Sequence, residues 1–223
     1  MYPCPGHGLD TLGNYLMGYF KASGKRCNLH PVQRLDRGTS GLLVFTTNGH
    51  AHDVLQRSLH SGDFSRSYLA ICVGVPQPTE GVVDAPIMRD PAAPRQRFCV
   101  AQGELADAPD AKPARSHYRV LASSPDGSAS LVLLELETGR THQIRIHMAH
   151  IGCPLLGDVV YDAAAGGDAG IERPALHSAH IELTHPISRE RLCFTQPLPP
   201  DMQRLAESLG LPPKHEGGAW RLC

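Results

Sequence analysis

Two apolar runs joined by a tight turn constrain the fold of this chain most strongly. The segments SHYRVLA (116–122) and SASLVLLELE (128–137) flank SSPDG, a sequence typical of a hairpin turn. Strands joined by so short a connection pair antiparallel, because parallel pairing requires a long crossover. The chain is therefore predicted to contain an antiparallel sheet that includes this hairpin.

Further apolar runs and turn signals extend this pattern along the chain. Additional strands are predicted at 41–47, 66–75 and 95–101 and in a second hairpin at 177–198. Helices are predicted at 11–24, 50–60, 140–152 and 201–210. Polar or glycine-rich segments at 102–114 and 166–170 are expected to be loops. Because helices and strands do not alternate as βαβ units, the sequence predicts an α+β fold with a mainly antiparallel sheet.

The helices carry recognisable capping residues. Asp10 or Thr11 is expected to cap the first helix, Thr141 the helix at 140–152, and Asp201 the last helix. The first helix has apolar residues at helical spacing, which predicts a buried face. That face would comprise Leu12, Tyr15, Leu16, Tyr19 and Phe20.

The composition favours a soluble protein of the cell interior. The chain has 223 residues, 41% of them hydrophobic, without an apolar stretch long enough to span a bilayer. Its N-terminus lacks the features of a secretory signal. The seven cysteines are scattered and form no C-x-x-C pair, which argues against a disulfide framework. We therefore expect a cytoplasmic protein without a membrane partner.

One carboxylate stands between two arginines in HPVQRLDRGTSGLLVF (30–45). Asp36 lies between Arg34 and Arg37, just before the small-residue turn at 38–41. As a structural residue, Asp36 would pair with an arginine and pin the turn. As a functional residue, it would be held ionised, because a nearby opposite charge lowers the pKa of a carboxylate. It could then act as a nucleophile or a base, and the residues alone leave both roles open.

A second polar block, LETGRTHQIRIHMAHIGCPLLGD (136–158), follows the first hairpin. Arg145 lies four residues beyond Thr141, about one helical turn. His142, His147 and His150 of this block are candidate metal ligands, as are His177, His180 and His185. However, His142 and His147 are five residues apart and do not share a helix face cleanly, although His147 and His150 do. No H-E-x-x-H motif is present. The sequence therefore predicts no metal site, although a histidine-rich metallohydrolase remains a rival interpretation.

Tyr68, in the strand-like segment FSRSYLAICVG, has two interpretations. It is either a core residue or, beside a basic face, a platform on which a base stacks. The formal net charge of −1 does not indicate a nucleic-acid partner. However, 17 of the 21 basic residues are arginine, whose planar guanidinium suits phosphate recognition and base stacking.

Several blocks occur together and in a specific order. They are RLDRGTSGLLVF, SRSYLAICVG, ELETGRTHQIRIHMAHIGCPLLGDVVYD, RPALHSAHIELTHP and LCFTQPLPPDM. In this combination the chain resembles the RluA/RluD-type pseudouridine synthases, which convert uridines of ribosomal and transfer RNA to pseudouridine. The resemblance covers about residues 6–202. It implies a curved, mainly antiparallel sheet flanked by helices and loops, with an RNA-binding cleft across it.

The resemblance also implies roles for individual residues. Asp36 would be the catalytic aspartate, Tyr68 the tyrosine that contacts the target base, and Arg145 the basic residue that pairs with the aspartate. RNA contacts are expected from residues in and beside the shared blocks, namely Arg34, Arg37, Thr39, Arg66, Arg140, His142 and Gln143. The reaction is an isomerisation, so the resemblance implies no cofactor and no metal. RNA would be the partner of a monomeric enzyme.

The chain departs from the family pattern at identifiable points. Gln33 stands where the family usually has histidine, and Arg66 where it usually has lysine. The family normally begins with a strand and an Asn-Lys-Pro segment, and this chain starts just after where that segment would lie. Either the start codon has been assigned too late or this is a shortened form. We predict a catalytic domain at 1–202, followed at 203–223 by the end of the last helix and a flexible tail. The rival to an active enzyme is a catalytically impaired RNA-binding protein of the same fold.

Overall fold

The computed structural model describes residues 11–59, 61–92, 96–100, 108–161 and 170–211. The helices in these residues are α1 Leu12–Ala22, α2 Gly49–Ser58, α3 Gln143–His150 and α4 Pro200–Ser208. The strands are β1 His30–Pro31, β2 Ser40–Gly41, β3 Phe45–Thr46, β4 Phe64–Val73, β5 Glu80–Asp84, β6 Ile87–Arg89, β7 Arg97–Cys99, β8 Arg115–Ser123, β9 Ala129–Leu136, β10 Leu176–Thr184 and β11 Arg191–Thr195. Both predicted hairpins are present, as β8–β9 and β10–β11.

The main sheet has the strand order β11-β10-β4-β9-β8-β5, with β2 pairing off this path onto β10. Strands β4, β9, β8 and β5 pair antiparallel, whereas β2 pairs parallel with β10. The predicted α+β class with a mainly antiparallel sheet is therefore confirmed.

The two faces of this sheet serve different purposes, because successive side chains of a strand point to opposite faces. Leu69 and Ile71 of β4 pack in a core cluster with alternate residues of β9 and with Met202 and Leu205 of α4. Tyr68 lies between the positions that face α4, so its side chain points to the other face. Helix α3 is tied to β8, where the His147 ring hydrogen-bonds Ser116.

The chain forms two compact units. The larger comprises 36–42, 65–182 and 193–223 and contains most of the main sheet, α3 and α4. The smaller comprises 1–35, 43–64 and 183–192. In the smaller unit β1 pairs antiparallel with β3, and Gln56 of α2 donates a hydrogen bond to the Val32 carbonyl at 2.6 Å.

The prediction of one continuous buried strand at 41–47 is wrong. The structure has two short strands here, β2 and β3, separated at residues 42–44. Gly41 adopts a φ of +108°, and a Cβ at this position would lie 2.2 Å from the Ser178 carbonyl oxygen. The close approach to β10 requires glycine, and its positive φ breaks the extended conformation.

The predicted buried face of the first helix is also wrong. Thr11 caps α1 by accepting a hydrogen bond from the Asn14 amide at 3.3 Å, and Asp10 lies outside the described residues. However, Tyr15 and Tyr19 are 72% and 66% exposed, and Leu12 is also exposed. Helical spacing shows which residues share a face, but it does not show whether another element covers that face.

Two predicted helix starts lie elsewhere. Helix α3 begins at Gln143 after His142, so Thr141 is not its cap. Helix α4 begins at Pro200, and Asp201 lies inside its first turn. Proline suits this position because its missing N–H would be unpaired there in any helix.

Cys193 is disulfide-bonded, whereas Cys27, Cys72, Cys99 and Cys153 are free thiols. This bond was not predicted, because the cysteines are scattered along the chain. Within the described ranges, no helix combines the length and the apolar character required to cross a bilayer. Residues 102–107 of the predicted loop at 102–114 lie outside the described residues, as do the C-terminal tail from residue 212 and nearly all of the loop at 166–170.

Candidate active site

Asp36 lies in a turn that precedes β2. Its carbonyl accepts a hydrogen bond from the Thr39 amide at 3.0 Å, which closes the turn. Gly38, with a φ of +87°, supplies the left-handed backbone conformation that such a turn requires. The neighbouring Arg37 side chain is exposed. Asp36 is partly buried, so its carboxylate is incompletely hydrated.

Tyr68 extends from the centre of the main sheet. It lies in β4 opposite Leu134 of β9 and is 5% exposed. Burial raises the pKa of Tyr68 above its usual value, although the positive charge of Arg66 opposes the shift and the negative charge of Asp36 adds to it. The phenol is therefore neutral at physiological pH and can donate a proton or a hydrogen bond.

The charge of Asp36 acts on three groups of the larger unit. It contributes to the raised pKa of Tyr68 and of Arg145, and it opposes the lowering of the pKa of His142 by burial. Coulomb interactions of this kind require proximity, because solvent screens distant charges. These effects indicate that Asp36 lies near Tyr68 and Arg145, the two residues to which the family resemblance assigns catalytic roles beside it.

Arg145 forms a two-pronged ion pair with Asp158. Its Nε and Nη2 atoms donate to the two carboxylate oxygens of Asp158, each at 2.6 Å. Both side chains are buried, with 5% and 0% of their surfaces exposed. Burial opposes the charge of Arg145, but the hydrogen bonds to Asp158 and the attraction of both carboxylates outweigh it, so the pKa of Arg145 lies above its usual range. The sequence did not anticipate Asp158 as the hydrogen-bonded partner.

Tyr161 and His142 complete the surroundings of this ion pair. The Tyr161 ring lies beneath the Arg145 guanidinium, with 5.0 Å between Cζ and the ring centroid. Its hydroxyl is 2.8 Å from Nδ1 of His142. Burial lowers the pKa of His142, which keeps the ring neutral. His142 has a φ of +59°, a strained conformation for a residue with a side chain, and strain of this kind is often found at functional sites.

Four other residues predicted to contact RNA differ in the exposure and the hydrogen bonding of their side chains. Arg140 is exposed, and its Nε donates to the Pro113 carbonyl at 2.9 Å. Arg66 is partly buried and its Nη2 lies 3.4 Å from the Thr138 carbonyl. Arg34 lies in the smaller unit with an exposed side chain. The Thr39 hydroxyl is buried without a hydrogen-bond partner.

Gln143 is engaged entirely within the protein. Its side-chain oxygen accepts from the Thr138 hydroxyl at 2.8 Å and from the Arg140 amide at 2.9 Å. Its amide nitrogen donates to the Arg115 carbonyl and the Ser116 hydroxyl, both at 3.0 Å. These bonds hold the loop that leads into α3. An RNA contact by Gln143 stays a prediction that requires one of them to open.

Ser178 is a further polar residue on the Tyr68 side of the sheet. Its hydroxyl lies close enough to the Tyr68 hydroxyl to lower the pKa of that phenol. The pair nevertheless falls short of strict hydrogen-bond geometry, and the Ser178 Oγ is buried without a partner. A buried hydroxyl in this state can bond a substrate or a shifted Tyr68 without first breaking another bond.

Five of the six histidines considered as metal ligands hydrogen-bond other groups of the protein. Both ring nitrogens of His147 are engaged, by Ser116 and by the Ala85 carbonyl, and His177 bonds Ser40 and the Gln196 carbonyl. In the described ranges, no group of three or more His, Cys, Asp or Glu side chains is arranged to hold a metal ion. The rings instead tie neighbouring elements together.

Asp158, Tyr161 and Ser178 are the site residues that sequence reasoning missed. All three lie within the blocks that carry the family resemblance, but neither their spacing nor their chemistry indicated a role. Asp158 is 13 residues from Arg145, beyond the end of α3, so helical periodicity does not connect the two. Only the folded chain brings them into contact.

Comparison with known proteins agrees with this arrangement. The sequence matches the family described as RNA pseudouridylate synthase over residues 2–150. It is 37% identical to the uncharacterized RNA pseudouridine synthase YhcT of Bacillus subtilis, over 89% of this chain and 62% of that protein. It is 39% identical to the ribosomal large subunit pseudouridine synthase D of Nitrosomonas europaea, over 94% of this chain and 59% of that protein. The chain thus spans about six-tenths of the length of these relatives.

Solved structures show the same fold. Human RNA pseudouridylate synthase domain containing 4 superposes with a TM-score of 0.71 at 26% identity, covering 94% of this chain and 87% of that one. Human RNA pseudouridylate synthase domain containing 1 gives a TM-score of 0.69, also at 26% identity, covering 87% and 78%. This chain belongs to the RNA pseudouridylate synthase family.

Proposed function

We propose that this protein converts uridines of RNA to pseudouridine and that Asp36 is its catalytic carboxylate. The observation that carries the proposal is the proximity of Asp36 to Tyr68 and Arg145, inferred from the effect of its charge on both. A partly buried carboxylate, a neutral phenol and a fixed guanidinium are suitable groups for this isomerisation.

The reaction explains why these groups suffice. The bond between ribose C1′ and uracil N1 breaks, the base turns, and a bond forms between C1′ and C5. The proton on C5 leaves and a proton is added at N1, so substrate and product are isomers and the balance requires no cofactor. Asp36 provides the carboxylate, which either attacks C1′ or removes a proton from C2′. The released uracil is retained beside Tyr68, whose ring offers a stacking surface.

Arg145 has a positioning role in this proposal. The Nε and Nη2 atoms of Arg145 both donate hydrogen bonds to Asp158. The Arg145 guanidinium is therefore already fixed when RNA binds. A fixed charge stabilises a carboxylate or a developing negative charge without reorganisation during the reaction. Direct pairing of Arg145 with Asp36 during the reaction stays part of the proposal.

The RNA partner is inferred from chemistry and from the relatives. The exposed arginines Arg34, Arg37 and Arg140 suit phosphate contacts, and Arg66, Thr39 and His142 are closer to the reacting groups. A paired uridine cannot reach Asp36 while it is stacked, so we expect base flipping. The relative named ribosomal large subunit pseudouridine synthase D supports ribosomal RNA as substrate, with transfer RNA as the alternative. We propose a monomer that acts in the cytoplasm.

Pseudouridine mapping tests this function. Total RNA from a strain that lacks the gene is compared with RNA from the parent and from the deletion strain complemented with the wild type or with Asp36→Asn. The proposal predicts one or more uridines that lose modification on deletion and regain it only with the wild-type gene. Unchanged pseudouridine positions in the deletion strain, or full restoration by Asp36→Asn, would contradict it.

A further inference from the structure

The turn that carries Asp36 is tied to a segment far along the chain. Nη1 of Arg173 donates a hydrogen bond to the Gly38 carbonyl at 2.8 Å, across 135 residues of sequence. The same nitrogen lies 3.2 Å from both the Pro174 and the Leu176 carbonyls. Arg173 therefore joins the turn to the strand entry of β10 through three backbone oxygens.

Arg173 is itself fixed by helix α4. Its Nε and Nη2 atoms donate to the two carboxylate oxygens of Asp201, at 2.7 and 3.0 Å. One of those oxygens also accepts from the Met202 amide at 2.8 Å. Asp201 lies in the first turn of α4, where the helix dipole favours a negative charge. Because Met202 and Leu205 are buried in the core of the larger unit, the arginine is fastened to a rigid element.

The turn also packs tightly against this anchor. A Cβ at Gly38 would lie 3.1 Å from Cδ of Pro174 and 3.3 Å from Cβ of Arg173. Beyond Gly38, the Ser40 hydroxyl is 2.9 Å from Nδ1 of His177, and the Leu42 amide donates to the Ser178 carbonyl at 2.9 Å. These ties leave the backbone on the C-terminal side of Asp36 little freedom to move.

We infer that Arg173, held by Asp201, is a positioning residue that fixes the Asp36 turn for catalysis without touching the reacting atoms. The catalytic part of this inference rests on the proposed function of Asp36. A carboxylate that must meet one ribose carbon is sensitive to small displacements, since a shift of about 1 Å can cost about a hundredfold in rate. RNA affinity depends on many phosphate contacts and is much less sensitive to the placement of one turn.

The test compares Arg173→Gln and Asp201→Asn with the wild type. In free protein, amide hydrogen exchange at Thr39 reports the closure of the turn, because this amide donates to the Asp36 carbonyl. We expect Arg173→Gln to accelerate that exchange by about tenfold or more. With saturating RNA, its single-turnover rate should fall by about tenfold or more while RNA affinity changes by less than about threefold. Asp201→Asn should have the same effects to a smaller degree.

Ser130→Ala is the matched control. Ser130 is fully buried in β9, donates to the Gly74 carbonyl at 2.7 Å, and lies four residues along β9 from the partner of Tyr68. This variant should lose thermal stability without altering Thr39 exchange or the single-turnover rate. Unchanged Thr39 exchange in Arg173→Gln overturns the inference, as does an unchanged rate at saturating RNA or a rate loss that Ser130→Ala reproduces. If the wild-type protein isomerises no uridine, the proposed function fails, and the exchange measurement alone then decides whether Arg173 holds the turn.

Discussion

Arg145 and Asp158 form a buried ion pair in which two nitrogens of one side chain meet both oxygens of the other at 2.6 Å. The negative charge of Asp36 also contributes to the raised pKa of Arg145, so one guanidinium interacts with two carboxylates. Asp158 fixes the orientation of the arginine, and the Tyr161 ring supports one of its faces. The guanidinium of Arg145 is thus held in place by other groups of the protein.

Removing the charge of Asp158 should damage both stability and chemistry. Asp158→Asn keeps the shape but leaves a buried guanidinium without its counter-charge. We expect a loss of about 3–5 kcal/mol in the free energy of unfolding, the cost of breaking a buried pair. Urea denaturation measures this loss, and single-turnover kinetics should show a slower chemical step. Glu137→Gln, at the exposed pair with Arg115, is the control and should change stability far less. Equal effects of the two variants would contradict the structural role of Asp158.

Tyr68 should contribute a ring and a hydroxyl that substitution can separate. Tyr68→Phe keeps the ring, so RNA binding and folding should persist while the chemical step slows. Tyr68→Leu removes the π-face as well and should weaken binding of the target base by about 1–3 kcal/mol. Single-turnover rate, RNA affinity and melting temperature are measured on both variants.

Tyr118→Phe is the control for loss of a phenol. Tyr118 is buried in β8, and its hydroxyl donates to the Pro78 carbonyl at 3.1 Å. This variant should lose stability but retain the rate. A Tyr68→Phe variant with the wild-type single-turnover rate would rule out proton transfer by its hydroxyl.

Much of the sheet could be predicted from the sequence because the information is local. The hairpin of β8 and β9 follows from two apolar runs and a five-residue turn, and β4 from one continuous apolar run. The break between β2 and β3 could not be predicted, because it arises from the contact of Gly41 with Ser178. The prediction of a buried face on α1 was wrong for a related reason, because helical periodicity does not show whether another element covers that face.

In the candidate site, too, some residues could be predicted from the sequence, whereas others depend on tertiary contacts. Asp36, Tyr68 and Arg145 were predicted as catalytic residues because their blocks resemble a known family, and the effect of the Asp36 charge on the other two indicates that they lie near it. Asp158 and Arg173 were missed because each meets its partner through tertiary contacts at 13 and 135 residues of separation. Such contacts leave no periodic signal in a single sequence.

Acid should destabilise the protein through its buried neutral histidines. Burial lowers the pKa of His147 and His177 below the usual value of 6.5, so the unfolded chain binds protons first as pH falls. The stability that depends on the neutral rings is fully present above that value and is lost as pH falls toward the lower folded pKa. We expect the free energy of unfolding to decrease by up to about 1.4 kcal/mol per pH unit for each ring.

Urea denaturation between about pH 7.5 and pH 5.5 measures this dependence. His147→Gln should be less stable than the wild type but should lose less stability on acidification, because one titrating ring is gone. His50→Gln, at an exposed position, is the control for replacing a histidine by glutamine. A pH slope in His147→Gln equal to that of the wild type would show that His147 is not responsible.

RNA binding should depend strongly on salt despite the net charge of −1. Arginine–phosphate contacts release counterions, so affinity falls as salt rises. Arg37→Gln, at an exposed residue beside Asp36, should weaken binding across sequences and reduce the logarithmic salt slope by about 1. Fluorescence anisotropy across a salt series measures the slope, with Arg119→Gln on β8 as an exposed control. A flat salt response of the wild-type protein would be incompatible with phosphate-based recognition.

The central claim is that Asp36 performs the isomerisation. The most direct measurement is the single-turnover conversion of uridine to pseudouridine by purified wild-type and Asp36→Asn protein, on an RNA identified by mapping and at saturating enzyme. Asparagine keeps the shape of the side chain and removes its charge. We predict conversion by the wild type, none above a no-enzyme control by Asp36→Asn, and RNA affinities within about threefold of each other. Measurable turnover by Asp36→Asn would contradict the assignment, and tight RNA binding by a wild-type protein that converts no uridine would identify a catalytically impaired RNA-binding protein instead.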